Sequence, residues 1–308
     1  MAFDLAKAVR DAAPNASIPV PAGTYPATLV IEKPLSLVAM GRVVLDAGGR
    51  ASVARIATKD GLVRLAGFII AGGDSPEGGG GVAVLAGAAE LLECTFRYNK
   101  APVNGGGGLW ATGNSQVTVT RCRFEGNTGR QGGAILVDEV ASLKLSDSTV
   151  IQNAAVLGGG LKVREGATAT IHGCTIADNK VVGDAAMGSA LHLSGSTTRT
   201  PTVSLSHCIV SERAEGPACL FNGSPHPGKL TLTRNLLPPW CKALGGDNLF
   251  AEAKFTLQGT EPYQLQPDSP ALGAAAEDGF PKGAKDLSGR ARHSATAKPA
   301  LGAFSLVR

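Results

Sequence analysis

Residues 105–139 read GGGGLWATGNSQVTVTRCRFEGNTGRQGGAILVDE. The stretch begins the same pattern twice. Three small residues ending at Gly108 lead into Leu109-Trp110-Ala111, and three more ending at Ala134 lead into Ile135-Leu136-Val137, 26 residues later. Working outward, the third residue of each such triplet recurs at Gly81, Gly108, Ala134, Gly160, Ala190 and Ala218, at steps of 27, 26, 26, 30 and 28. The segments that follow, from Val82-Ala-Val84 to Cys219-Leu-Phe221, are apolar at their first and third positions, so those side chains are expected to point inward at the period of a strand.

Two further ladders keep the same step. Phe68, Cys94, Cys122, Ser148, Cys174, Cys208 and Asn235 place small or apolar residues at one interior position, followed two residues on by Ile70, Phe96, Phe124, Val150, Ile176 and Val210. Asn99, Asn127, Asn153 and Asn179 follow the corresponding Cys or Ser by five. A period between 20 and 50 residues marks a repeat architecture, in which one unit cannot bury its inner face and must stack on the next. Stacked strands lie about 4.7–4.9 Å apart, so equivalent residues become columns, and an amide column can hydrogen-bond along itself. Asn is expected to take the left-handed turn of the corner, and Gly to serve where a corner needs positive φ or no Cβ. The leading alternative for this period, a leucine-rich repeat, requires a helical signature after each strand, and none follows. The expected fold is all-β: a single right-handed parallel β-helix solenoid of roughly nine coils.

Residues 1–17 read as a short amphipathic capping helix, with Phe3, Leu5, Ala6, Val9 and Ala12 apolar and Pro14 ending it. Such a cap protects the open end of a solenoid. Coils occupy 18–247, and 248–308, where the period fades, reads as a last coil and an irregular tail packed on the solenoid.

The 308 residues include 41 Gly and few aromatics, as tightly turning β structure requires. The net charge of +4 is not gathered into a basic run, so no nucleic-acid partner is expected. No apolar stretch is long enough for membrane insertion, and the charged opening does not read as an export signal. Oligomeric state is not legible. Six cysteines include no Cys-x-x-Cys pair. Stacked Cys94 and Cys122 have parallel Cα–Cβ vectors, so free buried thiols serving as small apolar fillers are expected. The Gly runs at 78–81 and 105–108 lack the Lys-Ser/Thr ending of a phosphate loop.

Phe96-Arg-Tyr-Asn99 and Phe124-Glu-Gly-Asn127, with Gly132-Gly-Ala-Ile135, resemble the paired repeats of polymorphic membrane protein autotransporters. The stretch from Ala8 through Pro21-Ala-Gly-Thr-Tyr25 is similar to the opening coil of pectin lyase-like β-helix proteins. The tail, with Asn248-Leu-Phe250, Tyr263 to Gly273 and Leu301-Gly-Ala-Phe304, resembles the closing segment of secreted bacterial β-helix proteins. These resemblances imply extracellular or surface-displayed proteins that bind or process polysaccharide or act as adhesins. No autotransporter barrel is read within these 308 residues, and Gly273 stands where those closing motifs commonly have Asp-Ala-Gly.

The resembled lyases use acidic side chains for calcium and a basic residue for proton abstraction, on the outer wall of a coil. The outward rows expected here are Ala83, Trp110, Leu136, Lys162, His192, Leu220 and Leu85, Thr112, Asp138, Arg164, Ser194, Asn222, with Glu139 and Glu165 at the next corner. The candidate catalytic set is therefore Glu139, Glu165, Arg164 and Lys162, and the candidate ligand-binding set is Trp110, Asp138 and His192. Stacked carboxylates could approach the roughly 5–5.5 Å separation of retaining glycosidases, or hold Ca²⁺ with Asp138 in a lyase. Lys162 or Arg164 would then be the base, and Trp110 a sugar platform. The plainer reading is a solvated corner with Asp138 paired to Arg164, and lone histidines are more often surface residues than ligands. No resident metal or other cofactor is expected. The row Glu93, Arg121, Asp147, Gly173, His207, Arg234 alternates sign at first and reads as a register device.

The function expected is non-catalytic surface interaction, adhesion or carbohydrate binding, with a polysaccharide or surface protein as partner. The alternatives are a polysaccharide lyase or glycosidase on the lateral wall, and an assembly module of a larger complex.

Overall fold

The structure, a computed structural model, describes residues 3–183, 187–212, 219–223, 225–259, 261–276, 278–293 and 298–305. Successive turns stack as parallel strands into a solenoid of about eight turns, against the roughly nine expected. One wall is the column Leu29, Ala54, Val82, Leu109, Ile135, Leu161, Leu191, Leu220. A second is Leu35, Val63, Ala89, Val117, Leu143, Ala169, Val203, Leu230. A third runs from Leu45 through Ile70, Phe96, Phe124, Val150 and Ile176 to Val210, reproducing the ladder read from spacing. Most members of these columns are buried in one continuous core, where the rings of Phe96 and Phe124 stack with centroids 4.5 Å apart.

The amide column closes as predicted. Asn153 Oδ1 accepts from the backbone N–H and the side-chain amide of Asn127, and Asn179 Oδ1 does the same for Asn153. Corner geometry differs from the expectation. The left-handed residue is the one before each Asn: Tyr98, Gly126, Gln152 and Asp178 have φ of 55°, 63°, 56° and 54°. Asn is needed for its amide, which satisfies N–H and carbonyl groups that the bend takes out of the strand ladder.

The cysteine column does similar work, so filler is an incomplete description of it. Cys94 N–H donates to Cys122 Sγ, Cys122 N–H to Ser148 Oγ, Cys174 N–H to Cys208 Sγ, and Cys208 N–H to Asn235 Oδ1. Thiol, hydroxyl and amide are interchangeable there because each places an acceptor one coil away. The residue before each, from Glu93 to Arg234, is again left-handed. Arg121 reaches back to Glu93 across 2.7 Å, as the register reading requires.

The capping helix runs Leu5–Asp11, with Asp4 Oδ1 accepting the Lys7 N–H, and buries Leu5 and Val9 on the first coil. At the other end the last short strand is one residue out of the expected register. Leu191, His192 and Leu193 pair with Leu220, Phe221 and Asn222, so Phe221 stands over His192 where Leu220 was expected. Ala190 hands its N–H to Cys219, and Ala218 lies outside the described residues. The loop before this strand lengthened the spacing, and burial of Leu220 on the core decides the register.

The tail covers more than the last coil. It runs back along the flank, where Glu261 meets Arg123, the Ala303 N–H donates to Thr175, and Arg292, its side chain fully buried, pairs with Asp147. Two small apolar clusters, around Ile209 and Phe280 and around Ile151 and Phe304, hold it down. Among the described residues no helix is long and apolar enough to cross a membrane.

Candidate functional site

The row expected to face outward does so in register: Trp110, Leu136, Lys162 and His192 are stacked partners. It is nevertheless roofed. The glycine-rich segments double back over it, and a Cβ on Gly158 would lie 3.0 Å from Lys162 Cβ, one on Gly188 3.0 Å from His192 Cβ, and one on Gly78 2.7 Å from the Trp110 ring. Only glycine permits so close a backbone approach, which explains the triplets that mark the repeat. Lys162 and His192 are accordingly buried and Trp110 half-buried, its Nε1–H without a partner. Burial, then the Arg164 charge, holds Lys162 down to about 8 against the pull of Asp138. Burial and the Lys162 charge take His192 down to about 4, opposed by a hydrogen bond to the Met187 backbone.

Asp138 and Arg164 come together. The guanidinium grips the buried carboxylate with two of its three nitrogens, at 2.8 and 2.5 Å, and reaches Gln131 Oε1 with the third at 3.3 Å. Asp138 also accepts the Glu139 N–H. Glu139 and Glu165 sit at successive left-handed corners, with φ of 58° each. Glu139 is exposed, and its carboxylate accepts the Gly113 N–H of the preceding coil at 2.8 Å. None of these seven residues lines either of the cavities described next.

Those cavities lie on another face, at the end of the asparagine column. One, of about 530 Å³, is lined by Tyr98, Gln152, Asp178, Lys180 and Glu212 among others. The second, of about 570 Å³, shares Asp178 and Glu212 and continues to Trp240, Lys254 and Leu257. Together they make one trough with an exposed aromatic at each end, Tyr98 being 63% and Trp240 42% accessible. The Tyr98 ring lies against Gly126 of the next coil, where a Cβ would come within 2.7 Å of it. Trp240 is carried by the 3-10 helix Pro239–Leu244. Asp178 Oδ2 accepts from the Tyr263 hydroxyl at 2.6 Å, and that hydroxyl is also met by the Gln152 amide.

Glu212 occupies the next rung of the amide column. Asn179 Nδ2 contacts its Oε1 at 3.4 Å, where earlier coils offer an Asn oxygen at 3.0 Å. A carboxyl has replaced an amide in a buried column, and burial drives its pKa up to about 9, Asp178 adding to the rise and Asn179 opposing it. Glu212 is therefore a neutral acid at pH 7, able both to donate and to accept. Sequence reading missed it, together with Asp178, Tyr98 and Trp240. A usable signal existed: the column continues beyond Asn179 once the long step is allowed, and Glu212 is 33 residues on.

The protein-family model described as "Right handed beta helix region" matches residues 60–237. No curated protein matches the chain. Among solved structures, the crystal structure of a pectate lyase aligns over 98% of this chain and 91% of its own, at 12% identity and a TM-score of 0.40.

Proposed function

The chain belongs to the right-handed β-helix family, and from that premise we propose that it is a non-catalytic carbohydrate-binding solenoid whose ligand lies in the trough between Tyr98 and Trp240. One observation carries the reading: two adjoining cavities share the neutral acid Glu212 and its neighbour Asp178, with an exposed aromatic ring at either end. A sugar chain has apolar C–H faces that suit such rings and a hydroxyl rim that suits groups able to donate and accept. The trough runs across several coils, the direction in which a polymer gains contacts. The Trp110–His192 row supports the non-catalytic choice through its closure, since Arg164 is held by Asp138, Glu139 by Gly113, and Lys162 is roofed by glycine.

The test is calorimetric titration with neutral glucans, mannans and polyuronates, with and without calcium. Tyr98→Ala and Trp240→Ala should each weaken binding roughly tenfold or more, the loss expected of an aromatic anchor. Undiminished binding in both variants would refute the assignment of the trough.

A second reading, a lyase or glycosidase on the lateral wall, is favoured by two groups. Lys162, held to about 8, has the proton affinity of a base that works near neutrality, and Glu212 beside Asp178 has that of an acid. Unsaturated product lost in Lys162→Ala, or new reducing ends lost in Glu212→Gln, would establish it in place of the first.

A further inference from the structure

Six thiols are buried, and four of them belong to the corner ladder already described. Each of those four has two main-chain carbonyls within reach of its single S–H: Leu65 and Leu92 for Cys94, Leu91 and Thr120 for Cys122, Leu145 and His172 for Cys174, Ile171 and Ser206 for Cys208. The remaining two face each other. Cys219 opens the last short strand, Leu220–Asn222, and its carbonyl accepts the N–H groups of Ala190 and Leu191. Cys241 comes from the 3-10 helix Pro239–Leu244 that closes the C-terminal end of the core. Their Sγ atoms lie 2.9 Å apart, nearer than the ~3.5–4.0 Å at which two non-bonded carbon atoms rest.

The geometry points to a Cys219–Cys241 disulfide, formed by exchange with a low-molecular-weight disulfide, that staples the C-terminal cap to the last coil. The sulfurs need to close by less than about 1 Å to reach bonding distance. Cys241 is the attacking sulfur. It is 8% exposed against 2% for Cys219, and the contact between the two thiols lowers its pKa while raising that of Cys219. Its thiolate attacks one sulfur of the small disulfide, forming a mixed disulfide and releasing one small thiolate. Cys219, on losing its proton, attacks the Cys241 sulfur and expels the second. The two protons from the protein end on the two small thiols, and the two electrons lost by the protein reduce the small disulfide.

The bond would join residues 22 positions apart and close a loop containing the strands Leu220–Asn222, Lys229–Thr233 and Leu236–Leu237. That final coil has a full neighbour on one side only, so it is where a solenoid frays first. A bridge across its base acts where the stack is weakest.

The experiment uses the full chain, equilibrated in glutathione buffers of increasing oxidation, acid-quenched, alkylated and mapped by mass spectrometry without reduction. The expected result is a linkage between the peptides bearing Cys219 and Cys241, with two of the six thiols lost. The Tm should rise by roughly 5–10 °C and fall back on reduction. Amide exchange over residues 220–237 should slow with it. In Cys241→Ser and Cys219→Ser the remaining thiols stay reduced in the same buffers, and the Tm no longer responds to them. Six free thiols at the most oxidising ratio, glutathione stalled on Cys241 without closure, or linkage between ladder cysteines would each overturn the inference.

Discussion

Replacing Glu212 by Gln should stabilise the protein, by an amount that depends on pH in a calculable way. Glu212 titrates at 4.5 in the unfolded chain and at about 9 in the fold. Its folded pKa is raised, so its contribution to stability is fully present below pH 4.5 and is lost as pH rises towards 9. The loss is about 1.4 kcal/mol per pH unit, because folding must take up a proton that the unfolded chain has released. At pH 7 the deficit is about 3 kcal/mol, and above pH 9 it levels off near 6 kcal/mol. Glutamine has nearly the same shape, keeps an oxygen for the Asn179 amide and carries no titrating proton. Wild type and Glu212→Gln should therefore unfold at similar urea concentrations at pH 4.5 and diverge steadily through pH 6, 7 and 8. Taking the difference between the two proteins cancels the titrating groups that do not interact with Glu212. A gap that does not change with pH, or a variant less stable throughout, would refute the burial argument.

Other positions give independent checks. Asn153→Ala removes the acceptor for the Asn127 N–H and the donor to Phe124 O, so it should cost about 3 kcal/mol or more and accelerate amide exchange at residue 127 before the rest of the wall. Arg164→Ala leaves the buried Asp138 carboxylate without its cation, an expected loss of about 2 kcal/mol in urea unfolding, with glycan binding in the trough unchanged. The tail is held beside His172 and His207. Burial lowers both pKa values, aided by the Arg292 charge at His172 and by the His172 charge at His207. Their depressed folded pKa values mean that this contribution is present above 6.5 and is lost as pH falls. Limited proteolysis of residues 251–305 should therefore increase between pH 7 and 5, and His207→Gln should flatten that dependence.

Most of the stacking was legible as spacing. The Phe68 to Asn235 and Ile70 to Val210 ladders, and the four Asn residues, all stand as columns because a turn of constant length returns the chain to the same azimuth one strand spacing higher. The same regularity placed Asp138 beneath Arg164. It failed where turn length changed. The steps into the last coil displaced the register of Leu220 by one residue and hid Glu212 as the successor of Asn179. The rows of the candidate patch stack in the expected register, but their closure was not legible, because nothing in the spacing of Lys162 and His192 reveals that Gly158 and Gly188 lie on top of them.

The sequence alone determined a right-handed β-helix with an N-terminal cap, its inward columns and its amide ladder. Those features depend only on residues one repeat apart, and adjacency across one repeat is fixed by the hydrogen-bonded distance between parallel strands. Tertiary structure alone decided the trough, the facing of Cys219 and Cys241, and the grip of Arg292 on Asp147 across 145 residues. Each joins segments with no periodic relation. Their meeting is set by where irregular loops and the returning tail find surface to bury, a choice made by packing over the whole molecule.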